Sequence, residues 1–125
     1  MVLIVDDDGG IRQALARLLQ QHGFPVTVAA SLAEARAAAH QQRVDAVILD
    51  LGLGAESGLD LLIWLRAQPG HATTPVLILT GTTTLTQDEE ARIRENSAYV
   101  FYKPQSLLAL VEYVRRLTGS SETPS

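Results

Sequence analysis

The chain contains no cysteine, which removes disulfides, thiolate zinc sites, iron–sulfur clusters and cysteine nucleophiles together. Aromatic residues make up only 5% of the 125 positions, too few for a base-stacking platform. Ten basic residues face 14 acidic ones, and the net charge is −4 with no basic run, so direct nucleic-acid binding is not expected. Lysine is almost absent: Lys103 stands alone, and the other nine basic residues are arginine. No apolar run approaches the roughly 18–20 residues of a membrane span. Residues 1–5 lead straight into Asp6-Asp7-Asp8, with neither a basic stretch nor a small-residue cleavage site, unlike a signal peptide. A cytoplasmic chain without membrane insertion is therefore expected. Apolar residues (46%) are plentiful enough for a core, and the length suits one domain.

Short apolar runs alternate with helical patterns. Buried-strand signals fall at 2–5, 25–29, 44–49, 76–79 and 99–102, all short and rich in β-branched or aromatic residues. Between them, Ile11, Leu15, Leu18 and His22 form one helical stripe closed by Gly23. Ser31 with Glu34, and Thr86 with Glu89, read as capping boxes. Ser57 and Asp60 open a third helix, apolar almost all round. The helix after Thr86 has Ile93 as its only large apolar residue. Leu107, Leu110, Val111, Val114 and Leu117 mark the last helix, with Leu108 and Tyr113 off its core stripe. The order βαβαβαβαβα with continuous apolar strands predicts an α/β fold: one doubly wound parallel sheet of five strands flanked by five helices. Residues 1–118 form the domain, and 119–125 read as a flexible tail or the start of a linker.

Ligands in such sheets bind at the carboxyl ends of the strands. The first strand is followed there by Asp6, Asp7 and Asp8. The third ends on Asp50, the fourth on Thr80 with Gly81 behind it, and the fifth is followed by Lys103-Pro104. Three neighbouring carboxylates repel unless a cation joins them, and a small all-oxygen set suits Mg²⁺. A lysine and a hydroxyl added to that set make a phosphoryl-transfer site. Each position also has an ordinary explanation. Asp8 fits a helix N-cap, Asp50 a loop, Thr80-Gly81 a strand-ending turn, and Lys103-Pro104 a solvated helix start. All four together at the ends of four strands are harder to explain that way. The three histidines, His22, His40 and His71, fall away from this rim.

The segments 3–8, 45–51, 57–59, 76–81 and 103–104 together resemble the receiver domain of two-component response regulators, over essentially residues 1–118. The flavodoxin-like strand order 2-1-3-4-5 comes with that resemblance. It implies Asp50 as phosphoacceptor, and Asp6, Asp7, Asp50 and the Gly52 carbonyl around Mg²⁺. Thr80, the Gly81 amide and Lys103 would hold the phosphoryl group, and Pro104 would follow a cis bond that aims the lysine. The implied partners are a sensor histidine kinase or phosphotransfer protein and an unidentified output protein or domain. The output face would be the fourth helix, fifth strand and fifth helix, which also serves homodimers. Such a module is a phosphoacceptor with autodephosphorylation, not a turnover enzyme on an external substrate.

The chain departs from the family pattern at several points. Gly54 stands where a proline is usual, Val100 where a switch aromatic is common, and Asn96 where a glycine usually follows the fourth helix. Small residues at Gly52 and Thr82 imply a phosphoryl group open to water and short-lived. Two rival readings stand beside the phosphorylated switch. One is a receiver-like module that works by protein binding alone. The other is a haloacid-dehalogenase-like phosphatase with Asp6 as nucleophile and Asp8 as acid/base, which leaves Asp50 without a role.

Overall fold

The computed structural model describes residues 1–53, 56–80, 85–102 and 107–118. Numbering only the strands of the main sheet, these are β1 (Val2–Val5), β2 (Val26–Ala29), β3 (Ala46–Asp50), β4 (Val76–Thr80) and β5 (Tyr99–Tyr102). All pair in parallel, in the order β2-β1-β3-β4-β5. The helices are α1 (Gly9–Gln21), α2 (Leu32–Gln41), α3 (Gly58–Arg66), α4 (Gln87–Glu95) and α5 (Leu107–Thr118).

The three central strands lack polar alternation because both their faces are covered. Val2, Ile4, Ile48, Leu77 and Leu79 pack with Leu15 and Leu19 of α1 and with Leu110, Val111 and Val114 of α5. Leu3, Val5, Val47, Leu49, Val76 and Ile78 pack with α2, with Leu61, Leu62 and Leu65 of α3, and with Ile93 of α4. Successive strand residues thus feed two separate cores, as a period of two requires.

Local chemistry sets the helix ends. Asp8 caps α1, its Oδ1 accepting from the Ile11 amide at 3.1 Å. Gly23 follows that helix with φ +90°, a conformation that suits glycine. Thr86 and Glu89 form the full reciprocal box on α4, at 3.0 and 2.9 Å. The expected box on α2 is only half formed. Ser31 Oγ accepts from the Glu34 amide, but the Glu34 carboxylate accepts from Ala30, one residue ahead of the cap. With Ile93 as its only buried residue, α4 depends on its cap and on acidic and basic ends that complement the helix dipole.

Asn96, standing where the family usually has glycine, has φ −102°, and the left-handed conformation falls on its neighbour Ser97, with φ 55°. Tyr113 is not a free surface residue, since it packs edge-on against Phe101 and Tyr99. Leu108 is 61% exposed. The third helix is mostly core, and the half-buried Trp64 ring is flanked from α2 by Arg36 and His40. A short antiparallel ribbon, Gly52–Leu53 with Glu56–Ser57, was not foreseen, because two-residue strands carry no periodic signal.

Arg66, at the end of α3, ties three segments together. Its Nε donates to the Asn96 carbonyl at 2.8 Å, and its Nη1 to those of Thr74 and His71 at 2.7 and 3.1 Å. Burial holds the guanidinium below the usual arginine range, with Tyr99 acting in the opposite direction. It stays cationic at neutral pH. Arg66→Ala leaves three carbonyls without this donor, so we expect a stability loss of about 3 kcal/mol in urea unfolding. A loss within error would show that water replaces the guanidinium.

Candidate functional site

The register of the sheet builds the site. Val5 of β1 is level with Leu49 of β3, so the next residues, Asp6 and Asp50, emerge side by side on strands about 4.8 Å apart. Asp7 follows in the β1–α1 connection. One carboxylate oxygen from each of Asp6, Asp7 and Asp50 lies within 4.8 Å of the others. Asp6 is buried at 2% exposure, Asp50 is half-buried and Asp7 faces solvent. The cluster therefore has a fixed floor and an open side. The donor set is hard, all oxygen and few in number, which fits a divalent cation such as Mg²⁺ that keeps part of its water shell.

The floor is held by main-chain hydrogen bonds. The Asp6 amide donates to the Ala29 carbonyl at 3.1 Å, and Asp6 Oδ1 accepts from the Asp8 amide at 2.9 Å. Arg12, on the first turn of α1, donates from Nη1 to the Asp6 carbonyl at 2.8 Å. The Asp8 side chain is occupied as the α1 cap, which counts against an acid/base role for it.

Beyond Asp50 the chain makes the short ribbon and returns. The Gly58 amide donates to the Leu51 carbonyl at 2.8 Å, and Ser57 Oγ accepts from the Leu59 amide to cap α3. A Cβ on Gly58 would sit 2.3 Å from the Asp50 carbonyl oxygen and 3.1 Å from Leu51 Cα. Only glycine allows α3 to start this close to the end of β3. The sequence showed Gly58 as part of a motif but not its neighbour, because the approach is between residues eight positions apart.

Thr80 ends β4 and is buried at 4% exposure. Asp50 is level with Leu79, so Thr80 lies one residue further toward the same rim. Tyr102 pairs with Thr80 at the end of β5. Gly54, Gly81, Thr82, Lys103 and Pro104 lie outside the described residues, as does the expected tail at 119–125. Val100 is half-buried and level with Ile78, packing against the α2–α3 core, while Phe101 is buried on the other face and Tyr99 is 43% exposed. The sheet therefore presents a tyrosine on either side of Val100 and Phe101. None of the histidines lies in the carboxylate cluster: His22 is the C-cap of α1, His40 meets Trp64, and His71 Nδ1 is 3.0 Å from Thr74 Oγ1.

Among the described residues, no helix is long and apolar enough to cross a membrane. Residues 2–115 match the family model of the response regulator receiver domain. The chain is 37% identical over 125 residues to the transcriptional regulatory protein KdpE of Mycobacterium tuberculosis, covering 98% of this chain and 54% of that protein. It is 33% identical over 130 residues to the transcriptional regulatory protein PrrA of Mycobacterium bovis, with the same two coverages. The chain thus spans about half the length of these curated relatives. Among solved structures, the chemotaxis protein CheY4 of Vibrio cholerae superposes with a TM-score of 0.84 at 31% identity, covering 93% of this chain and 96% of that one. The receiver domain of NtrX from Brucella abortus gives 0.84 at 28%, covering 96% and 99%. The β2-β1-β3-β4-β5 sheet with its rim of carboxylates and this family match agree, and the chain belongs to the receiver domains of two-component response regulators.

Proposed function

We propose that this chain is a phosphorylation-controlled switch in the cytoplasm that accepts a phosphoryl group on Asp50. The observation that carries the reading is the convergence of Asp6, Asp7 and Asp50 at the carboxyl ends of β1 and β3. The donor is the phosphohistidine of a sensor kinase or phosphotransfer protein. An Asp50 carboxylate oxygen attacks phosphorus, the phosphorus–nitrogen bond breaks, and the leaving imidazole nitrogen takes up a proton. The product is an acyl phosphate, which water later hydrolyses back to the carboxylate and phosphate. Asp6, Asp7, Asp50 and the Gly52 carbonyl are the residues that would hold Mg²⁺. Bound there, it would neutralise charge on the phosphoryl oxygens.

Thr80, the Gly81 amide and Lys103 complete the phosphoryl-binding set, and Pro104 positions the lysine. The small residue types at Gly52 and Thr82 fit an acyl phosphate that water hydrolyses quickly. The readout is the face made by α4, β5 and α5, toward an output domain or partner or a second copy of the chain. Two features support α4 as the moving part: it buries only Ile93, and its N-terminal end is satisfied by its own capping box. Val100 cannot rotate between inside and outside as an aromatic ring can, so on this reading it acts as a packing residue.

Amide NMR spectra of the chain alone, with Mg²⁺, and with Mg²⁺ plus beryllofluoride test this. Expected are shifts at Asp7 and Asp50 with Mg²⁺ that spread to Thr80, Lys103 and α4 with the phosphoryl mimic. Silence toward both ligands would replace the switch by a module that works through protein binding alone.

A further inference from the structure

Arg12 reaches the main chain of the carboxylate cluster, yet among the described residues it forms no ion pair with Asp6, Asp7 or Asp50. Its guanidinium turns instead to a main-chain oxygen, that of Asp6, at 2.8 Å. The adjoining geometry gives this contact a purpose. Asp7 is exposed, and its carboxylate makes no hydrogen bond to another of the described residues. What fixes its backbone, and with it the direction in which the side chain leaves the main chain, is the pair of planar peptide groups on either side. The peptide joining Asp6 to Asp7 is held through its oxygen by Arg12. The peptide joining Asp7 to Asp8 is held through its N–H by Asp6 Oδ1, at 2.9 Å. Both planes flanking Asp7 are thus clamped, one from α1 and one from the buried floor of the cluster.

We infer that Arg12 is a positioning residue for divalent-cation binding, acting through the Asp6 carbonyl to preset the Asp7 carboxylate toward Asp6 and Asp50. The inference rests on the proposed role of this cluster as a Mg²⁺ site. Charge alone would make Arg12 a hindrance, since a guanidinium repels an arriving cation. Position works the other way, because a preset ligand loses less freedom when the ion binds. Partners that orient a metal ligand commonly change affinity by an order of magnitude or more. The two effects therefore predict opposite signs for removal of the side chain.

The test is a Mg²⁺ titration, followed through amide shifts near Asp50, on the wild-type chain, Arg12→Ala and Arg12→Lys. Thermal melting of each metal-free chain is recorded alongside. The expected result is Arg12→Ala binding Mg²⁺ about tenfold more weakly, with Arg12→Lys recovering most of the loss because it keeps one donor at the carbonyl. Metal-free melting should change little, since the bond removed is local to one connection. An Arg12→Ala chain that binds as tightly as wild type overturns the inference, and one that binds more tightly overturns it and assigns Arg12 a charge effect. A lysine variant no better than alanine also overturns it. A wild-type chain that binds no Mg²⁺ removes the proposed cation site itself, and the inference with it.

Discussion

Asp50→Asn is expected to keep the fold and to abolish phosphoryl transfer to the chain. The carboxamide has nearly the shape of the carboxylate but offers no nucleophilic oxygen that could form an acyl phosphate. Asp50 ends β3 at half-buried exposure, where an amide of equal volume is accommodated, so the circular dichroism spectrum should match wild type. Incubation with Mg²⁺ and acetyl phosphate, read by intact mass, should add a phosphoryl group to wild type and none to the variant. Mg²⁺ affinity should fall as well, because one of three clustered carboxylates is lost. A variant that still gains the phosphoryl group would move the acceptor role to Asp6 or Asp7. Asp6 is the weaker alternative on burial, and its Oδ1 already accepts from Asp8. A wild-type adduct that persists for many hours would contradict the short-lived phosphoryl group implied by the small residues Gly52 and Thr82.

Gly58→Ala has the second large effect, and for a different reason. Its added Cβ would meet the Asp50 carbonyl oxygen at 2.3 Å, well inside van der Waals contact, and both sides of that contact are tied to main chain. No side chain can rotate away to relieve it, so either the start of α3 or the end of β3 must move. Overpacking of a rigid site typically costs 1–3 kcal/mol, and a backbone collision belongs at the upper end, so we expect a loss of about 3 kcal/mol in urea unfolding. The displacement falls on Asp50 itself, so phosphoryl acceptance should drop along with stability. A Gly58→Ala chain of wild-type stability and wild-type acceptance would show that the connection between β3 and α3 yields freely. Gly10→Ala is a useful contrast: its Cβ would lie 3.3 Å from the Asp8 side chain, which is a tighter contact than usual but not a collision with backbone.

Much of the fold was legible because the signals were local. Val2–Val5 and Tyr99–Tyr102 are strands with the bounds that the apolar runs predict. The caps at Asp8, Ser57 and Thr86 could be named from residue type and spacing, since each bond spans two or three residues. Boundaries shifted where the signal was mixed: the run at 44–49 became a strand at Ala46–Asp50, because Val44 and Asp45 precede the residues that pair with β1. The half-formed box on α2 and the left-handed Ser97 depend on how the chain enters and leaves a helix, which side-chain type does not decide.

The alternation of strand and helix, the buried nature of the central strands and the carboxylates that follow β1 and β3 could all be read along the chain. These rest on periodicity and on the rule that open parallel sheets place their ligands at the carboxyl ends of the strands. How those pieces meet was set by the packing of the folded chain. Register put Asp6 beside Asp50, a missing Cβ let α3 begin against the Asp50 carbonyl, and Arg12 and Arg66 found main-chain oxygens instead of acids. An arginine's partner depends on which backbone oxygens the packed chain leaves without a donor. That is a property of the assembled fold, and no spacing along the chain encodes it.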